Sequence, residues 1–182
     1  AATAITGTAA AIATALSSGA INHTAANITA TVDAGSVAAS DLNTIDSNST
    51  PNVVATAATT ITGNHADITT AVSSGSITQA SNVALTAADT MTSDELASMD
   101  ALTTGIITAN IEDVAMTDLA AIADANSNNA LTITVTDTSV AAAALNTLDG
   151  LTSVNVTATA ATAMTGTAAA IATALSSTTI DH

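Results

Sequence analysis

Thr162-Ala163-Met164-Thr165-Gly166-Thr167-Ala168-Ala169-Ala170-Ile171-Ala172-Thr173-Ala174-Leu175-Ser176-Ser177 is a stretch the chain has already spelled once. Thr3 to Ser18 match it residue for residue, with Ile5 in place of Met164. Working outward, Ala160 matches Ala1, Ile180 matches Ile21 and His182 matches His23, all at one constant offset. A constant offset of this kind is the mark of a tandem array. The chain therefore reads as one long period plus the opening of the next, and as a piece of something longer.

A finer period lies inside the long one. The last large apolar residue of each candidate helix falls at Leu16, Ile45, Val72, Met99, Ile122, Leu148 and Leu175, at nearly even spacing. Six coils fill the period, and each reads alike. A Thr-rich alternating run comes first: Ile28 to Val32, Val53 to Ala57, Val83 to Ala87, Leu131 to Val135 and Val154 to Ala158. Alternation of β-branched and polar residues is a strand signal. The fifth coil is the weakest, because Asn110 to Val114 carries both Glu112 and Asp113. An apolar corner follows, such as Ile5-Thr6, Val37, Ile61-Thr62, Met91-Thr92, Met116-Thr117, Val140 or Met164-Thr165. Then two large apolar residues recur three or four apart: Ile12 and Leu16, Leu42 and Ile45, Ile68 and Val72, Leu96 and Met99, Leu119 and Ile122, Leu145 and Leu148. That spacing puts both on one face of a helix. Thr8 and Thr167 stand where helix N-caps stand, and Thr92 with Glu95 has capping-box spacing.

Strand, corner, helix and return in about 27 residues falls in the range of leucine-rich-type coils. The expected fold is an α/β, right-handed parallel solenoid, continuous through 1–182, with one short strand and one short helix per coil. The alternative is an all-β helix. The Ala content and the helical spacing of the apolar pairs disfavour it.

Composition supports a thin, repetitive core. Cys and aromatic residues are absent, and apolar content near half is mostly Ala. There is no Lys or Arg against 15 Asp and Glu, for a formal charge of −15. Nucleic-acid binding relies on basic residues to neutralise phosphates, so it is excluded as a function class. No apolar run approaches the roughly 18 residues of a membrane span. Without Cys there are no disulfides and no thiolate metal sites.

Catalytic chemistry finds no foothold. His23, His65 and His182 do not pair at ligand spacing, and neither a nucleophile elbow nor a phosphate-binding glycine loop is present. The acids fall at a repeated place, at or just after the helix anchor: Asp46, Asp100, Asp124 and Asp149. An acid there opposes the helix dipole, so helix stability does not explain it. Two readings stand: turn-initiating, solubilising residues, or weak divalent-cation sites, with Ca2+ as the candidate ion. No cofactor is required. Thr29, Thr31, Thr56, Thr86, Thr132, Thr134, Thr157 and Thr159 would form rows on a sheet face, the kind of array that binds ice or glycan, or that merely suits a strand. Asn22, Asn27, Asn48 and Asn155 match the N-glycosylation pattern, as chance provides in so Thr-rich a chain.

Two phrases carry a resemblance: Val135-Thr136-Asp137-Thr138-Ser139-Val140-Ala141-Ala142-Ala143-Ala144-Leu145-Asn146-Thr147-Leu148-Asp149 and Thr165-Gly166-Thr167-Ala168-Ala169-Ala170-Ile171. They resemble repeats in giant, low-complexity surface proteins of marine bacteria, cyanobacteria especially. The resemblance implies an extracellular or cell-surface role, sometimes beside calcium-binding nonapeptide blocks, which this chain lacks. It implies no catalytic residues. The expected function is structural, in a fibre, sheath, surface layer or adhesin stalk. The expected partners are further copies of the chain, end to end and laterally.

Overall fold

The computed structural model describes residues 3–18, 28–112, 114–119, 122 and 129–182. Short strands alternate with short helices, and the described strand pairs run parallel, so the chain is α/β. It divides into two compact units, Ala1–Ala88 with Leu102–Gly105, and Asp89–Ala101 with Ile106–His182.

The first unit opens with β1 (Ala4–Gly7) and α1 (Ala9–Ser17), then β2 (Thr29–Val32), β3 (Gly35–Ala38) and α2 (Ala39–Asn48). β4 (Val53–Ala55), β5 (Ala58–Gly63) and α3 (His65–Ser73) follow, then β6 (Ile77–Gln79) and the start of β7 (Ala84–Met91). β1, β2, β4 and β6 lie side by side in one sheet, while β3, β5 and β7 lie side by side in another. A coil thus carries two strands and a helix, which corrects the expectation of one strand per coil. The corner residues are the second strand: Val37 in β3 pairs with Ile61 in β5, and Ile61 pairs with Leu85 in β7. The corner is too short to show alternation by itself. It becomes a strand because the neighbouring coil supplies hydrogen-bond partners.

Register sorts the residues by face, as a period of two requires. In the first sheet Ala30, Val53 and Ile77 align and are buried, while Thr6, Thr31, Val54 and Thr78 align on the other face. The helices stack α1 on α2 and α2 on α3. Ile12, Leu16, Leu42, Ile45, Ile68 and Val72 are all buried, as their spacing predicts. Ala9, Ala13, Ala39 and Ala71 are buried beside them, and small side chains allow the helices to approach closely. Solvent-facing hydroxyls fold back on their own helix: Thr14 donates to Ala10 O at 2.8 Å and Thr70 to Ala66 O at 2.8 Å.

Helix starts are fixed locally. The Thr8 hydroxyl accepts from Ala11 N at 3.3 Å, and Asn64 Oδ1 accepts from Asp67 N at 2.8 Å. Just before that cap, Gly63 turns the chain from strand to helix with φ +154°, a conformation that L side chains rarely adopt. Gly105 is required for a different reason. A Cβ there would collide with the Val83 and Asn82 carbonyl oxygens.

The second unit holds the end of β7, then α4 (Ser93–Asp100), β8 (Ile107–Ile111), α5 (Met116–Leu119) and β9 (Ala130–Thr132). β10 (Ser139–Ala141), α6 (Ala142–Asp149), β11 (Val156–Thr157), β12 (Ala163–Thr165), α7 (Ala168–Ser176) and β13 (Ile180–Asp181) complete it. β8 pairs with β9, β10 with β12 and β11 with β13. α6 packs on α5 and on α7. The predicted box at Thr92 is complete: its hydroxyl accepts from Glu95 N at 3.2 Å, and Glu95 accepts from Thr92 N at 2.8 Å. The strand expected over 110–114 lies three residues earlier, because Ile107, Ala109 and Ile111 are the residues that alternate inward. Leu119 and Ile122 are buried as expected, although the helix described there ends at Leu119.

Candidate functional site

Among the described residues, no three His, Asp or Glu gather into a metal-ligating group. His65 begins α3, the His182 ring Nδ1 lies 3.0 Å from Ile180 O, and His23 lies outside the described residues. An open depression of about 180 Å³ in the second unit is lined by Leu119, Ile122, Ala144, Thr147, Leu148 and Leu151, and none of its lining among the described residues is titratable. The polar residues that recur in fixed geometry are those at the helix ends.

Leu42-Asn43-Thr44-Ile45-Asp46 in α2 and Leu145-Asn146-Thr147-Leu148-Asp149 in α6 share one pattern. The two apolar residues face the core. Helical spacing then aims Asn and Asp at the following coil. Asn43 Nδ2 donates to Asp67 O at 3.1 Å, in the first turn of α3. Asn146 Nδ2 donates to Ala170 O at 3.0 Å, in the first turn of α7. Asp46 Oδ2 accepts from the Ser74 hydroxyl at 3.0 Å, and its Oδ1 accepts from Ser76. Asp149 Oδ2 accepts from the Ser177 hydroxyl at 3.1 Å. The Ser74 and Ser76 hydroxyl oxygens lie 2.9 Å apart, and the Thr179 hydroxyl donates to the Ser177 oxygen at the same distance. In both places the loop folds on itself and onto the carboxylate of the preceding coil.

A third contact completes the pattern. Thr62 Oγ1 donates to Val37 O, and Thr165 Oγ1 donates to Val140 O, each at 3.4 Å. Every coil-to-coil step of this kind carries a helix Asn, a helix-end Asp and a corner Thr. We call this set a clasp.

Asp100 takes the same place at the end of α4 with another partner. It is buried, and its Oδ1 accepts from Asn129 Nδ2 at 3.3 Å. Asn129 Oδ1 in turn accepts from Ile107 N at 2.8 Å, so one amide side chain stands in for a rung of the strand ladder. Thr152 does likewise, accepting from Leu131 N at 2.9 Å and donating to Leu131 O at 2.8 Å. Charge-assisted bonds to carboxylates are the strong members of such a set. With no Lys or Arg in the chain, hydroxyl and amide donors take the part that ion pairs take elsewhere.

Of the four acids singled out by sequence, Asp46, Asp100 and Asp149 are each bonded to a later coil, while Asp124 lies outside the described residues. Sequence reasoning missed their partners Asn129, Ser74, Ser76 and Ser177, and it missed Asn43 and Asn146. The signal was present: Ser74 follows Asp46, and Ser177 follows Asp149, by 28 residues in both cases. Comparison with models of protein families, with curated proteins and with solved structures finds no match.

Proposed function

We propose that the chain is a structural tandem-repeat element: a right-handed parallel α/β solenoid, continuous from coil to coil, that serves as the shaft of an extracellular fibre, sheath, surface layer or adhesin stalk. It is not an enzyme in this reading. One observation carries it. Asn43 and Asn146, with Asp46 and Asp149, point at the next coil at the same offsets, so the recurring polar groups serve to hold coils in line. Groups built for catalysis converge on a cleft instead. The recurrence of 1–23 as 160–182 supports an extended object, because stacked repeats grow in one dimension. The test is small-angle scattering from chains of one, two and three periods. The reading requires the longest dimension to grow in proportion to period number at constant cross-section. Growth in all dimensions would sink it.

A second reading has its own observation. Thr6, Thr31, Val54 and Thr78 form a row in register on one sheet face, and Val has nearly the shape of Thr. Such a row suits ice or a glycan. Thermal hysteresis or glycan-array binding that disappears in Thr31→Lys would favour it over a purely structural role.

A further inference from the structure

We propose that the outward face of the strand stack β8, β9, β11 and β13 binds an uncharged, extended β-linked polysaccharide, laid across the strands along the row Asn110, Thr132, Asn155 and Thr179. The binding rests on the glycan reading above but uses another row, in the second unit.

The row follows from register. Asn110 of β8 pairs with Thr132 of β9. Thr134 bridges Thr157, so Thr132 and Asn155, each two residues earlier, fall side by side on the same face. Val156 pairs with Ile180, which sets Asn155 beside Thr179. All four are exposed, while Ala109, Ile111, Leu131, Ile133, Val156 and Ile180 alternate with them and are buried. The row is open because of its side of the sheet, so a coil stacked before or after leaves it open.

The fold does not account for the two amides. Asn is depleted in strands, so strand stability does not place it there. Elsewhere the chain spends its amides on structure: Asn43 and Asn146 reach the next coil, Asn64 caps α3, and Asn129 replaces a ladder rung. The side chains of Asn110, Thr132 and Asn155 make no hydrogen bond among the described residues.

Their chemistry and spacing fit a sugar chain. One amide both donates and accepts, and so can take two neighbouring sugar hydroxyls at once. Adjacent strands lie roughly 4.8 Å apart, close to the advance of an extended β-linked chain per sugar. Successive sugars of such a chain turn over, so its pattern repeats every second sugar. Amide and hydroxyl alternate here with the same period of two strands. Ice, by contrast, asks for a uniform row. Charge narrows the ligand further. Glu112, two residues after Asn110, and Asp181, two after Thr179, flank the row, and no Lys or Arg offsets them. Acidic polysaccharides are therefore repelled. With no aromatic residue to stack on a sugar ring, each contact is weak, and affinity comes from several contacts in line.

The experiment is adsorption of the full chain to insoluble cellulose. Granular starch is the α-linked comparison, and insoluble carboxymethyl cellulose is the same backbone made acidic. The chain should bind cellulose and bind the other two at least about tenfold more weakly. Asn110→Ala with Asn155→Ala should weaken binding to cellulose by about tenfold or more. Its circular dichroism and urea midpoint should not change, because both positions are exposed. Thr31→Lys, on the row of the first unit, should bind as the wild type does. If Thr31→Lys loses cellulose and the double variant keeps it, the glycan reading stands on the first row and this inference is overturned. Equal binding of all three polymers, or full binding by the double variant, also overturns it. No adsorption to cellulose overturns it as well, and thermal hysteresis lost in Thr31→Lys would then leave the second reading standing for ice alone.

Discussion

Asp46 shows how much one side chain decides here. Both of its oxygens accept hydroxyls from the next coil. Asp46→Ala removes those bonds and leaves Ser74 and Ser76 in a half-buried loop, so it should cost roughly 1–3 kcal/mol. Asp33→Ala, on an exposed side chain, should stay within about 0.5 kcal/mol. Urea unfolding of the pair decides the point: equal midpoints would mean that the clasp adds no stability. Gly63→Ala forces a Cβ into a positive-φ corner and against Ala39 Cβ at 3.4 Å. It should destabilise by about 1–3 kcal/mol. The acids were legible in the sequence as a recurring position. Their partners were not, because Ser74 and Ser177 sit in Ser- and Thr-rich loops where any hydroxyl looks like a turn residue.

At the scale of elements, α1 and α7 separate what a sequence says from what a neighbour does. Leu16→Ala should cost roughly 2–5 kcal/mol, since it empties a filled core position. Leu175→Ala should cost under about 0.5 kcal/mol in the monomer, as befits a surface position. Thermal or urea unfolding of the two variants at a concentration low enough to keep the chain monomeric checks the contrast. Equal losses would show that Leu175 is buried in solution. The helices were legible because Leu42 with Ile45, and Leu145 with Leu148, keep the spacing of a single face. The second strand of each coil was not. Val37 and Ile61 are each the lone large apolar residue of a short stretch, and they become strand beside one another and beside Leu85 in the next coil. Leu175 holds the same place in the sequence as Leu16, Ile45, Val72, Met99, Ile122 and Leu148, which are all buried, yet it is exposed. Burial belongs to the pair of coils, not to the residue: Leu16, in the same nine residues, is buried where α1 packs on α2.

Over the whole molecule the charge has one sign. With 15 acids and no Lys or Arg, repulsion opposes folding, and added salt should relieve it. The thermal midpoint should rise with sodium chloride, as screening shortens toward about 3 Å near 1 M. Calcium chloride at the same ionic strength should give the same midpoint, because an ion at Asp46 would have to displace two hydroxyls already bound there. A higher midpoint in calcium, lost in Asp100→Asn or Asp149→Asn, would assign those carboxylates to the ion. The same composition makes the chain inert to trypsin. It should survive intact even in denaturant, as mass spectrometry after incubation will show, while a protease that cuts after small residues should digest only the unfolded form.

The twice-spelled coil also bears on heredity. A gene for such a chain can misalign during copying by a whole period and recombine within the shared stretch. In a tandem-repeat shaft of the kind proposed above, the product is longer or shorter, yet at the junction every coil meets a neighbour whose fit has already been worked out. Dropping or adding one full period then leaves no scar in the stacking. Length becomes a trait that selection can adjust in steps, without redesign of any contact.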